Sequence, residues 1–195
     1  MFAPAPFENL RMFGYNVIYA DPPWAFTNRS PKGEGRNPNQ HYSTMSIEQI
    51  EELPVRNLAA ENCALFLWVT DPLLDRGLET LRRWGFRYTT VAFTWAKRTK
   101  NDNGYHMGTG YYTRANPETC LLGMSGRMRR LDAGVRQLVV EPVRQHSRKP
   151  DRIRDDIVRL FGPVPRVELF ARASAPGWDA WGNETEKFNE DRYDL

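Results

Sequence analysis

The stretch "NVIYADPPWAF", residues 16–26, runs up an apolar strand and stops on Asp-Pro-Pro-Trp. Asn16 to Ala20 reads as a buried strand, and Asp21 ends it with a charge. Pro22 and Pro23 cannot extend a sheet, because neither has an N–H to donate and both have a fixed φ. Trp24 then sets a large flat ring just past the strand end. A carboxylate, stiff backbone carbonyls and an aromatic plane therefore meet at one spot. In an open α/β sheet, ligands bind at the C-terminal edge of the strands.

Working outward, residues 27–45 form a polar loop rich in Gly, Pro and Asn, longer than a plain connection needs. Ser46 and Gln49 make a capping-box pattern, and Ile47, Ile50 and Leu53 mark the buried stripe of the helix that follows. "CALFLWV", 63–69, reads as a central strand. Asp71-Pro72 reads as an N-cap with proline at the first helical position, Leu74, Leu78 and Leu81 recur at helical spacing, and Gly85 is the stop. Residues 86–97 are β-branched and aromatic, hence a strand. A second long loop, 98–117, precedes strand-like 119–124, a basic connection and strand-like 137–142. Residues 149–162 read as a helix with Ile153, Ile157 and Leu160 on its apolar face, and "RVELFAR", 166–172, as the last strand.

Strands alternating with amphipathic helices predict an α/β fold, its sheet mostly parallel with helices on both faces, and a possible antiparallel member within 86–124. The 195 residues suit one domain, 1–195, with 1–13 and 186–195 as flexible tails. Hydrophobic residues are 41% and charged residues 26%, as in a soluble globular protein. No apolar run is long enough to span a bilayer, and the N-terminus lacks a signal-peptide pattern, so the expected location is cytoplasmic. Cys63 and Cys120 sit in apolar stretches and read as reduced core thiols. They form no paired motif, and the three histidines are scattered, so no metal is expected.

Charge is concentrated rather than large. Net charge is +3, but between Ser125 and Arg159 ten Lys or Arg face five acids. With "KRTK", 97–100, and the aromatics of "GYYTR", 110–114, this fits a nucleic-acid surface as well as it fits a solvated basic face.

The Asp-Pro-Pro-Trp group suits one difficulty in particular. The lone pair of an aryl amine, such as the exocyclic amine of adenine, is delocalised into the ring. A carboxylate (Asp21) and a carbonyl (Pro22) that each accept one N–H draw the nitrogen toward tetrahedral and localise that lone pair for attack. Trp24 offers a stacking face. Such groups act by standing ready where charge develops, and the electrophile, a methyl sulfonium, needs only to be held in line.

Several blocks, taken together, resemble a known family. "ADPPW" is followed by "HYSTMSIEQI" (41–50), "LFLWVT" (65–70), "WAK" (95–97), "NPETCLLGMSG" (116–126), "SRKPD" (147–151), "ELFAR" (168–172) and "WGNE" (181–184). From about Tyr15 to Glu184 the chain is similar to the adenine-N6 methyltransferases that carry an Asp-Pro-Pro-Trp signature. That branch contains the catalytic subunit of the eukaryotic messenger-RNA adenosine methyltransferase and its bacterial and phage DNA methyltransferase relatives.

The resemblance implies a Rossmann-like fold with permuted motif order, binding S-adenosylmethionine across the ends of the first and last main strands. It implies a catalytic Asp21, Pro22, Pro23 and Trp24. Cofactor contacts would come from Asp21, Lys149, Phe170, Arg172, Asn183 and Glu184. Contacts to the target adenosine would come from Tyr42, Trp95, Glu118 and Ser147, with Arg148 beside the substrate path. Three features depart from the family: no Cys-Asp pair precedes the signature, "ASAPGW", 173–178, lacks a His-Asn pair, and Arg148 in "SRKPD" replaces a histidine. The expected substrate is adenine in DNA, with loops 27–45 and 98–117 and the basic stretch 125–148 making contacts to it. The same reaction on RNA, a non-catalytic nucleic-acid-binding subunit and an N-methyltransferase for small molecules or protein amides stand as alternatives. A homodimer or heterodimer is possible.

Overall fold

Asp21 stands at the end of the strand on which the sheet turns. The computed structural model describes residues 6–25, 45–145, 147–183 and 185–187. The strands are β1 (Tyr15–Ala20), β2 (Ala59–Val69), β3 (Arg87–Arg98), β4 (Glu118–Ser125), β5 (Leu138–Pro142), β6 (Arg166–Leu169) and β7 (Asp179–Trp181). They form one seven-stranded sheet in the order β5-β3-β4-β2-β1-β6-β7. Only β4 runs against the rest: it is antiparallel to β2 and β3, while every other pairing is parallel. The chain has an α/β, Rossmann-like fold.

The helices are α1 (Ile47–Glu51), α2 (Leu74–Arg83) and α3 (Arg152–Phe161). Ile50, Leu81 and Trp84 pack with Ile18, Leu65 and Leu67 on one face of the sheet. Ile153, Ile157 and Phe161 pack with Val17, Phe66 and Phe93 on the other. Alternate residues of β1 and β2 thus feed two cores, which is why both strands read as continuous apolar runs. Each fully buried aliphatic or aromatic side chain here is worth about 1.5–3 kcal/mol. Gly77 lets α2 lie close on β2, since a Cβ there would come within 2.9 Å of Val69 Cγ2.

The connection after β1 leads through α1 to β2 on one side, and α3 on the opposite face leads to β6 on the other. The switch point therefore lies between β1 and β6, where Ala20 pairs with Leu169. Asp21 and Phe170 follow those residues, side by side at the crevice where ligands bind in such sheets.

Several boundaries differ from the expected ones. β2 begins at Ala59 rather than Cys63, because Tyr15 of β1 pairs with Ala59, and the polar Glu61-Asn62 fall in the irregularity before Val17 pairs with Ala64. Asp71 is not the cap of a helix: Asp71–Leu73 is a 3-10 turn preceded by Thr70, which makes no side-chain capping bond, and α2 starts at Leu74. β6 stops at Leu169, since Phe170 turns left-handed at φ 61°. The Ser46–Gln49 capping box is present with both bonds, and Gly85 has φ 80° just past α2. Of the expected leading tail, Phe7 is buried with its ring edge-on to Trp181 at 5.0 Å. Cys63 and Cys120 are buried free thiols.

Candidate active site

The ends of β1, β2, β3 and β4 surround a cavity of about 440 Å³. Asp21, Pro22 and Trp24 line it from β1, Trp68 and Thr70 from β2, Trp95 and Lys97 from β3, and Glu118 from β4. Ser147 and Lys149 enter from the segment before α3. A narrower cleft lies on the β6 side, lined by Arg148, Phe170 and Arg172, and it meets the cavity at Asp21, Ser147 and Lys149.

A chain of alternating charges crosses the floor. Lys149 Nζ lies 2.7 Å from Asp21 Oδ2 and 3.2 Å from Glu118 Oε2. Lys97 Nζ lies 2.5 Å from Glu118 Oε1. The Lys149 side chain is only 9% exposed and that of Glu118 18%, so these charges persist only because each has a partner. Burial alone would raise the Glu118 carboxyl, but the Lys149 and Lys97 ammonium groups outweigh it and hold it at about 2. Burial likewise works against the Lys149 charge, and the Asp21 and Glu118 carboxylates overcome it, raising the ammonium above its ordinary value. Asp71, at the rim, is raised by burial and by the Glu118 carboxylate. Perturbed, mutually dependent charges in a cleft are the pattern of a functional site.

The turn after β1 is fixed by its own backbone. Trp24 N–H donates to the Pro22 carbonyl at 2.8 Å, and Met45 N–H donates to the Pro23 carbonyl at 3.0 Å. Asp21 Oδ1 makes no hydrogen bond among the described residues, so the carboxylate keeps one oxygen for a ligand.

Most of the residues expected from the sequence come together. Asp21, Pro22, Trp24, Trp95, Glu118, Ser147 and Lys149 share the cavity, and Phe170 and Arg172 share the cleft. Other placements differ from expectation. Trp24 is only 6% exposed and donates its indole N–H to the Trp68 carbonyl at 3.0 Å, so it is mainly a buried brace. Arg148 lines the cleft rather than the cavity, and its guanidinium holds Asp151 Oδ2 at 3.1 Å. Asn183 is exposed and lines neither space. Tyr42 and Glu184 lie outside the described residues. Both Ser147 and Phe170 have left-handed backbones, φ 62° and 61°, an unusual strain for side-chain-bearing residues, and here it borders the cleft.

The basic stretch 125–148 is divided by the topology. β4 starts at Glu118 in the cavity and runs away from it, so Arg127, Arg129 and Arg130 sit at the opposite edge of the sheet, roughly 20 Å off. Arg127 N–H bonds Asn62 Oδ1 at 2.7 Å there. Arg136 instead precedes β5, whose first residue Leu138 pairs with Thr94 next to Trp95. Arg144, whose guanidinium meets Asp151 Oδ2 at 2.7 Å, lines the cavity.

Lys97, Trp68, Thr70 and His106 were not foreseen as site residues. Lys97 and Thr70 share one legible signal with Asp21, a polar residue closing an apolar strand. The described residues contain no group of three or more His, Cys, Asp or Glu that could hold a metal ion, and no helix among them is long and apolar enough to cross a membrane.

Comparison with known proteins bears on the same residues. The chain is 33% identical over 195 residues to the type II methyltransferase M.MunI from a Mycoplasma species, covering 91% of this chain and 81% of that protein. It is 32% identical over 174 residues to an N(6)-adenosine-methyltransferase MT-A70-like protein of Drosophila melanogaster, and 30% identical over 174 residues to the human N(6)-adenosine-methyltransferase catalytic subunit METTL3. Those two matches cover 87% of this chain but only 27% and 28% of the relatives, so the chain spans about a quarter of the eukaryotic proteins it matches. The MT-A70 family pattern matches residues 15–184. That span runs from the first residue of β1 past the last of β7 and takes in the whole charged floor, and the chain belongs to the MT-A70 methyltransferase family.

Proposed function

We propose that this chain transfers a methyl group from S-adenosylmethionine to the exocyclic N6 amine of adenine in DNA. The observation that carries this reading is that Asp21, whose Oδ1 makes no hydrogen bond among the described residues, and Pro22, whose carbonyl is held by the Trp24 N–H, line the same cavity at the switch point. Each accepts one N–H of the amine. The nitrogen lone pair is then localised toward the adjoining cleft. Oδ1 is also the atom positioned to hold the proton that the amine gives up.

The residues present suit the cofactor's chemistry. Its amino-acid end carries one ammonium and one carboxylate, and Asp21 and Lys149 offer the two complementary charges where cavity and cleft meet. Phe170 supplies an aromatic face and Arg172 a polar group on the β6 side. When bound, S-adenosylmethionine supplies the electrophilic methyl group. Trp95, whose indole N–H is anchored to the Glu141 carbonyl at 3.0 Å, gives the adenine a rigid aromatic wall. Trp24 contributes by bracing the turn rather than by stacking.

DNA is preferred to RNA because the match to the type II methyltransferase covers 81% of that protein, whereas the adenosine methyltransferases are matched over about a quarter of theirs. On duplex DNA the adenine must leave the stack to reach Asp21, at a cost of about a few kcal/mol. The test is transfer of labelled methyl to unmethylated duplex DNA, single-stranded DNA and RNA. Label in N6-methyldeoxyadenosine supports the proposal. Label in RNA alone replaces it with the RNA reading, and no label on any polymer, with cofactor bound, replaces it with the non-catalytic subunit.

A further inference from the structure

The loop between β3 and β4 ends in an aromatic tip whose geometry the proposed reaction does not use. Asn116 clamps the loop to β3: its Oδ1 accepts the Lys97 N–H at 3.0 Å, and its Nδ2 donates to the Lys97 carbonyl at 2.9 Å and to the His106 carbonyl. Gly108 N–H donates to the Ala115 carbonyl at 2.6 Å and closes a short turn. Gly110 has φ 61°, and a Cβ there would overlap the Thr113 carbonyl, so the turn depends on glycine. Tyr112 stands at its tip with 102% relative exposure, beside Tyr111 at 51%.

The tip borders a groove of about 620 Å³, lined also by Arg114, that continues into the active cavity through Thr70, Pro72, Lys97, His106 and Glu118. A tyrosine ring wholly in water on a braced turn gains nothing for the fold. Its chain neighbours are Tyr111 and Thr113, with Arg114 next, and the other exposed large apolar side chains of the loop are Tyr105 and Met107, so aromatic rings rather than aliphatic chains dominate this surface. It does suit a flat ligand that stacks, next to a cation that suits phosphate.

We infer that Tyr112 stacks on the nucleobase adjoining the target adenine and occupies the stacking position that the adenine leaves when it enters the cavity. The inference rests on the nucleic-acid reading above and extends it to the recognition of a flanking base. Base–aromatic stacking is tolerant of sequence, so the contact holds the strand open without reading it.

The test is fluorescence anisotropy of an oligodeoxynucleotide bearing the mapped target adenine, with S-adenosylhomocysteine present to prevent turnover. It is repeated with an abasic residue at each flanking position. Tyr112→Ala should bind the intact strand about tenfold more weakly, and Tyr112→Phe within about twofold of the unmodified protein. One abasic position should cost the unmodified protein the same factor and cost Tyr112→Ala nothing further, a non-additivity that a merely structural role would not give. Unchanged affinity of Tyr112→Ala, or additive losses at both flanks, overturns the inference while leaving the reaction standing. A change in sedimenting mass at unchanged affinity overturns it in favour of a protein contact. If the unmodified protein binds no adenine-bearing polynucleotide, the underlying reading falls as well.

Discussion

Lys149 Nζ reaches Asp21 Oδ2 at 2.7 Å across 128 positions of sequence, and the same ammonium holds Glu118 Oε2 at 3.2 Å. One cation therefore ties the end of β1 to the start of β4, and together with Lys97 it neutralises the two carboxylates. Removing it leaves Asp21 without its cation and Glu118 with Lys97 alone.

Lys149→Met should abolish detectable methyl transfer, a loss of at least about a hundredfold. It should also destabilise the fold by about 3 kcal/mol, the usual cost of leaving a buried charge unpaired. The Glu118 carboxyl should rise from about 2 as it loses one of the two cations that hold it down. Urea unfolding and carboxyl-resolved NMR titration read these effects separately. A fully active Lys149→Met protein would remove Lys149 from the site.

Glu118 makes acid stability a second test. Folding lowers its carboxyl from the ordinary 4.5 to about 2. A depressed carboxyl contributes stability that is fully present above pH 4.5 and is lost as the pH falls toward 2. The urea midpoint of the unmodified protein should therefore fall more steeply between pH 5 and pH 2.5 than that of Glu118→Gln. The difference in slope integrates to roughly 3 kcal/mol at most. Parallel curves over that range would show that the carboxyl is not held low.

The division of the basic stretch gives a third. The double substitution Arg129→Ser with Arg130→Ser, at the far edge of the sheet, should leave transfer to a short oligonucleotide within about twofold, as distant surface changes usually do. Arg144→Ser, at the cavity, should raise the KM for the polynucleotide severalfold and flatten its salt dependence, in line with the loss of about one phosphate contact. Steady-state kinetics at two salt concentrations distinguish the two edges. Equal losses from both would show that the substrate spans the sheet.

Much of the architecture was legible because it is local. β1 and β2 are continuous apolar runs, the Ser46–Gln49 box lies within four residues, and Gly85 closes α2 where its left-handed backbone is needed. The switch point could be inferred from Asp-Pro-Pro, since proline ends a strand wherever it falls. The charged floor was only half legible. Asp21 and Lys149 were named as contacts to the cofactor and Glu118 as a contact to the adenosine, without the ion pairs that join them, and Lys97 entered only within the basic cluster 97–100 and the block 95–97. Their association depends on β4 running antiparallel between β2 and β3, a long-range fact that spacing does not encode. The same reversal carries Arg127, Arg129 and Arg130 away from the cavity, although they lie in one basic run with Arg144. Trp24 was read as a stacking face because the sequence shows a ring beside a carboxylate. It does not show that the Trp68 carbonyl takes the indole N–H.

The most direct test is nucleoside analysis by mass spectrometry after unmethylated duplex DNA is incubated with S-adenosylmethionine and either the unmodified protein or Asp21→Ala. The unmodified protein should produce N6-methyldeoxyadenosine. Asp21→Ala, in which Glu118 still partners Lys149, should keep its fold and DNA affinity and produce none. Equal methylation by the two proteins, or methyl on a nucleoside other than adenine, would contradict the central role given to the Asp21 carboxylate and the Pro22 carbonyl.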